Sequence, residues 1–146
     1  MNFNSLISRR RSEIIPNYFV STFRTTSSSE TITLPTPTNY EVDWGDGTIT
    51  TDANSHIYAI DGDYEIKIKD NITDFAFANV GDKDKIINVS NFGGLNIISS
   101  VFRGCSNLDI TATDVPTVLS YERAFQFCSS LVFNNSISNW DINISS

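Results

Sequence analysis

The sequence predicts a mainly β protein, an antiparallel β-sandwich continued by a short repetitive stack. Three observations predict it. Ser, Thr, Asn, Ile and Val are plentiful while Glu and Lys are few, a usage that suits pleated, half-buried surfaces. Between residues 18 and 78, short segments alternate apolar and polar side chains and are separated by turn residues, the pattern of a sandwich. Beyond residue 80, VFRGCSNL (101–108) recurs as AFQFCSSL (124–131). Phe102, Cys105 and Leu108 thereby map onto Phe125, Cys128 and Leu131, each 23 residues on. A fixed period in the twenties marks a solenoid, in which each unit buries its apolar face on the next.

The first element is an arm, residues 1–17. It has no sustained period and closes at Pro16. Phe3, Leu6 and Ile7 precede Arg9, Arg10 and Arg11, a mixture of apolar and basic groups suited to binding a partner. Its charges follow the apolar patch, which is the reverse of a secretory signal, so synthesis in a cytoplasm is expected. The three arginines against Glu13 give the first 16 residues +2 and leave −9 on the rest of a chain whose net charge is −7. An acidic body excludes nucleic acid as the expected partner of the folded part. No run reaches the roughly 18 apolar residues of a membrane span. At 40% hydrophobic residues, with ten Phe, the chain can bury a core.

The sandwich is expected over residues 18–80. YFVSTFRT (18–25) opens it, with Phe19 and Phe23 among β-branched neighbours, and TSSSE turns the chain. TITLPT places Ile32 and Leu34 on one face. PTNYEVDW places Tyr40, Val42 and Trp44 on one face and Asn39, Glu41 and Asp43 on the other. Gly45-Asp46-Gly47 then turns the chain into TITT. DYEIKIKD sets Tyr64, Ile66 and Ile68 against Glu65, Lys67 and Lys69, and ITDFAFAN reads as a further strand with Ile72, Phe75 and Phe77.

Residues 81–146 are expected to form the repeat stack, packed on the sandwich in one continuous core. In each unit, F-x-x-C reads as a short helical turn and the following Leu opens a short strand. A weaker echo joins VSNFG (89–93) to ISNWD (137–141), roughly two periods apart. Two full units and one degenerate one are barely enough to fold alone, so the sandwich is expected to cap the first.

These residues carry two resemblances. DWGDGT (43–48), His56-Ile57-Tyr58 and GDYEIKI (62–68) resemble, in order and spacing, the polycystic kidney disease (PKD) domain, an immunoglobulin-like sandwich. F-x-x-C-x-x-L followed by Ser138–Asp141 resembles the BspA-like leucine-rich repeats of bacterial surface proteins. The tandem is similar to modules of bacterial surface proteins and of bacteriophage virions. It implies a non-enzymatic attachment or display protein, found on a virion or alternatively on a bacterial surface. The implied partners are other virion proteins reached through the arm, and a host surface protein or glycan. Self-association fits as well. No cofactor, metal or catalytic residue is implied.

Asp43, Asp46 and Asp52 are candidate calcium ligands, but Gly45 and Gly47 stand where further acidic ligands would be needed. Glycines beside aspartates are the usual punctuation of a turn, which leaves Trp44 packing inward. His56 is the one histidine of the chain, which excludes sites needing two imidazoles. In the PKD resemblance His56, Tyr58 and Tyr64 are packing residues that define the fold along with Trp44, Gly45, Asp46 and Gly47. Cys105 and Cys128, lacking a C-x-x-C spacing, read as a buried ladder of reduced thiols. Tyr18, Tyr121 and Trp140 are the candidate exposed aromatic anchors. Trp140 lies near the uncapped end of the stack, where a partner, another copy or the arm is expected to cover it.

Overall fold

A computed structural model describes residues 17–37 and 40–132. The arm residues Phe3, Leu6, Ile7, Arg9, Arg10 and Arg11, together with Trp140 and Ser138–Asp141, lie outside the described residues. The described chain is mainly β, with ten strands and no helix. No helix among these residues is long and apolar enough to cross a membrane.

β1 (Tyr18–Thr25) is the spine. Its alternation buries Phe19, Ser21, Phe23 and Thr25 on one side, the consequence of a side-chain period of two. β6 (Gly62–Lys69) pairs antiparallel along its whole length, from Tyr18↔Lys69 to Thr25↔Gly62. β3 (Val42–Asp43) pairs with β6 and, through the DWGDGT hairpin, with β4 (Ile49–Thr50). On the other edge of β1 lies β7 (Ile86–Asn91), antiparallel with two register shifts. β7 then pairs in parallel with β9 (Asp109–Ile110). The six-stranded sheet therefore runs β4-β3-β6-β1-β7-β9. A second antiparallel pair joins β2 (Glu30–Thr33) to β5 (Ser55–Tyr58). Ile32, Tyr58, Trp44, Phe19, Phe23, Ile66 and Ile68 meet in one fully buried cluster with Phe75, Phe92 and Phe102 of the later chain. A multi-strand sheet facing a smaller antiparallel pair over a shared core is the layering of a β-sandwich.

After β7 the geometry changes from antiparallel to parallel. β8 (Asn96–Ile97) pairs in parallel with β10 (Thr117–Val118), just as β7 pairs with β9. Between these short strands, backbone turns stack. Phe77 N–H donates to Val101 O (3.0 Å), and Phe102 N–H donates to Ala124 O (2.9 Å). Two residues on, Asn79 N–H donates to Arg103 O (2.9 Å) and Gly104 N–H to Gln126 O (2.8 Å). Within each turn the same bond closes three residues, Val80 N–H to Phe77 O, Cys105 N–H to Phe102 O and Cys128 N–H to Phe125 O. Phe77, Phe102 and Phe125 are thus one position in three successive layers.

The structure differs from the sequence expectations in three places. The F-x-x-C segments are single hydrogen-bonded turns and not short helices. Positive φ at Gly104 and Phe127 inside the turns, and at Ser100 and Arg123 two residues before them, interrupts the right-handed run that a helix needs. The segment 72–79 is not a strand. Ile72 makes one isolated bridge to Leu95, and Phe75 and Phe77 are buried, but the segment's N–H groups go to Gly94, Pro35, Val101, Ser100 and Arg103 in turn, so no single neighbour forms a ladder. Of the strand expected over residues 37–44, the described residues form only Val42–Asp43.

Candidate functional site

The residues with the densest chemistry are those of the β3–β4 hairpin and the β5 face beside it. The hairpin closes with Trp44 N–H donating to Thr48 O (2.9 Å). Gly45 (φ 82°) and Gly47 (φ 94°) are both left-handed, a conformation that costs any residue with a Cβ. Gly45 has a second constraint. A Cβ there would stand 2.5 Å from the Glu65 carbonyl oxygen, whereas one at Gly47 would meet nothing within 4 Å. The glycines differ in kind, one required by close approach and conformation, the other by conformation alone.

Both loop carboxylates turn back on their own backbone. Asp43 Oδ1 accepts from Gly45 N–H (3.0 Å) and Asp46 Oδ1 from Thr48 N–H (3.0 Å), the Asx-turn chemistry of short acidic side chains. Asp46 Oδ2 accepts from His56 Nε2 at 2.6 Å. Burial pushes the Asp46 carboxyl up, but the His56 and Thr48 hydrogen bonds outweigh burial and hold it below the ordinary carboxylate value.

His56 is positioned by β5, and its ring lies between two others. It stacks on Trp44 with centroids 5.3 Å apart and meets Tyr58 edge-on at 4.8 Å. Tyr58 stacks on Tyr64 at 4.0 Å. Trp44 Nε1–H donates to Thr50 Oγ1 (2.9 Å), Tyr58 O–H to Trp44 O (2.7 Å), and Tyr64 O–H to Ile60 O (2.6 Å). Burial, with the nearby Asp46 charge second, raises the Tyr58 phenol and keeps it neutral. The seven fold-defining positions predicted from sequence, Trp44, Gly45, Asp46, Gly47, His56, Tyr58 and Tyr64, therefore form one contiguous assembly. Its bonds hold the hairpin rigid and tie it to β5, while the Tyr64 hydroxyl ties the connection before β6. Asp43, Asp46 and Asp52 are not gathered into a metal-binding group among the described residues.

The repeat residues occupy a second assembly. Phe102, Cys105 and Leu108 are fully buried, and Phe125, Cys128 and Leu131 are partly buried against them. Phe102 and Phe125 stack with centroids 5.8 Å apart. Both cysteines are free thiols. Cys128 Sγ–H donates to Phe102 O (3.1 Å). Burial pushes the Cys128 thiol up to about 11 and raises Cys105 further, so neither offers a thiolate near neutral pH.

Sequence reasoning missed three things here. Phe77 and Val80 belong to a first layer, hidden because Val replaces Cys and the offset is 25 residues rather than 23. Phe77 with an apolar residue three positions on, and Asn79 where the next unit has Gly104, were the available signals. Phe127 is 59% exposed and lies under the Arg103 guanidinium at 5.7 Å, whereas Tyr18 and Tyr121 are half-buried. The third omission is a groove between sandwich and stack. No protein-family model, curated protein or solved structure matches the chain.

Proposed function

We propose that this chain is a non-enzymatic attachment or display protein, best read as a bacteriophage virion component, capsid- or tail-associated, of decoration or fibre type. The observation that carries the reading is the tryptophan hairpin. Its two carboxylates, its imidazole and the Tyr58 phenol, groups from which a catalytic centre could be assembled, are engaged in holding the loop, and the Tyr64 phenol ties the connection before β6 at Ile60. On this reading the sandwich is PKD-like and the stacked turns are BspA-like leucine-rich repeats, supported by the inter-layer bonds at Phe77, Phe102 and Gly104. The arm of residues 1–16 supplies the anchor, with its Arg run meeting other virion proteins, and the rigid β body faces outward toward a host surface protein or glycan.

The test is capture of the purified protein by particles lacking it. The full chain should bind, and deletion of residues 1–16 should abolish binding while leaving the circular-dichroism spectrum of the body unchanged. Absence of capture by the full chain would overturn the reading. A bacterial cell-surface adhesion module is the second reading, supported by the repeat texture F-x-x-C-x-x-L; binding to bacterial cells without binding to particles would favour it.

A further inference from the structure

We propose that the groove where the sandwich meets the turn stack binds a neutral oligosaccharide. The proposal rests on the attachment reading and gives it a ligand class and a place. The groove is an open cavity of about 750 Å³, within the size range of small-ligand sites. One wall comes from β1 and β2 through Arg24 and Glu30, and the other from the stack through Asp84, Asn107 and Ser130. Those three are one position in successive layers, each 23 residues after the last. Asn107 Nδ2 donates to Asp84 O (2.9 Å) and Ser130 N–H to Ser106 O (3.2 Å), which locks the ladder. The wall therefore presents a polar side chain from each of three successive layers, at turn positions beside the strands.

The charges of the groove are engaged with one another. Lys85 Nζ meets Thr31 O at 2.8 Å, Glu30 Oε2 at 3.3 Å and Asp82 Oδ1 at 3.2 Å, which occupies all three ammonium donors. Arg24 holds Asp63 through Nε (2.7 Å) and Nη2 (2.9 Å), leaving further N–H groups on a neutralised guanidinium. Asp84 takes Lys83 through both oxygens (3.1 Å each) and Ser106 Oγ (2.9 Å). An anionic ligand would need an uncommitted cation and an amine an uncommitted carboxylate. Among the described residues, what remains are spare Arg24 donors, the Asn107 amide oxygen, the Ser130 hydroxyl and lone pairs of Asp84, with Ile87 as an apolar patch. Sugar hydroxyls, which donate and accept without net charge, match that set.

Isotope-labelled full-length protein titrated with cellotriose, maltotriose, chitotriose and mannotriose, followed by amide chemical shifts, tests this. At least one trisaccharide should move the Arg24, Asn107 and Ser130 amides together and saturably, with a dissociation constant on the order of millimolar, and inorganic phosphate should not. Asn107→Ala should weaken binding about tenfold, the worth of a hydrogen bond or two. Ser130→Tyr, at an exposed position, should fill the groove and abolish binding with the other amides unmoved. No groove shift with any of the four sugars, sugar shifts that survive both variants, or a stronger response to phosphate would overturn the proposal. Particle capture is scored separately. Retained capture by Ser130→Tyr with sugar binding lost supports both readings, while sugar binding without particle capture overturns the virion reading alone.

Discussion

In the tryptophan hairpin, side chains satisfy the backbone: Asp43, Asp46 and Tyr58 each take or give a bond to a main-chain group of residues 44–48. In the turn stack, backbone satisfies backbone: Phe77, Phe102 and Gly104 bond carbonyls of the following layer, and side chains serve mainly as filling between layers. The hairpin is specified by residue type at nearly every position. The stack is specified by spacing, and tolerates Val80 where the later layers have cysteine. Mutations should therefore act through identity in the first region and through volume or backbone conformation in the second.

The largest effects should be shared, because both regions feed one buried cluster. Trp44→Ala and Phe102→Ala each remove a fully buried aromatic side chain and should cost about 3–5 kcal/mol in chemical denaturation. Conservative replacement separates the regions. Trp44→Phe loses the Nε1 bond to Thr50 and part of the His56 stacking, whereas Phe102→Leu loses volume and ring contacts with Phe75 and Phe125 but no hydrogen bond of its side chain. Trp44→Phe should be the more damaging of this second pair. A larger loss at Phe102→Leu would break the distinction between identity and filling.

Next in size is the contrast within the hairpin. Gly45→Ala combines left-handed strain with a Cβ against the Glu65 carbonyl and should cost roughly 2–4 kcal/mol. Gly47→Ala meets open space and should cost about 1 kcal/mol for conformation alone. Equal effects in thermal or denaturant melts would show that the close approach at Gly45 relaxes freely.

The hairpin should also respond to acid. The Asp46 carboxyl is held below its ordinary value in the fold, so its contribution is present above about pH 4 and lost as pH falls through the folded value. Wild type should lose more stability than Asp46→Asn on going from about pH 5 to pH 2.5. Asp63 and Asp84, lowered by Arg24 and Lys83 respectively, are common to both proteins and cancel in the difference. Parallel pH profiles would contradict a linking role for the His56–Asp46 bond.

The same contrast explains what was legible in the sequence. The hairpin could be read because Gly, Asp and Trp each have few conformational uses in a turn, and DWGDGT leaves one consistent arrangement. Two layers of the stack could be read because Phe, Cys and Leu recur at one offset. The first layer could not, since Phe77 recurs through backbone geometry while its neighbours differ. ITDFAFAN was misread as a strand for the same reason: apolar side chains spaced like those of a strand also serve a segment that bonds several neighbours in turn. The groove lay beyond reach because Arg24 and Ser130 meet only after the stack has folded back beside β1.

The smallest expected effect is the most discriminating for the stack. Phe127 holds φ 66° at the position that Asn79 (66°) and Gly104 (85°) occupy in the earlier layers. A bulky side chain pays about 1–2 kcal/mol for that conformation, which Asn tolerates far better. Against this, Phe127 contributes an exposed contact under Arg103, worth about 0.5–1 kcal/mol. Phe127→Asn should therefore leave stability unchanged or raise it by up to about 1 kcal/mol, and the mirror substitution Asn79→Phe should lower it. Denaturant midpoints of the two variants measured side by side decide the matter. If Phe127→Asn is the more damaging, the two layers are not equivalent at this position and the spacing rule fails at its third turn. If it stabilises, the ring is retained at a cost to the fold, which makes Phe127 the first surface residue to substitute in a search for what the outer layer touches.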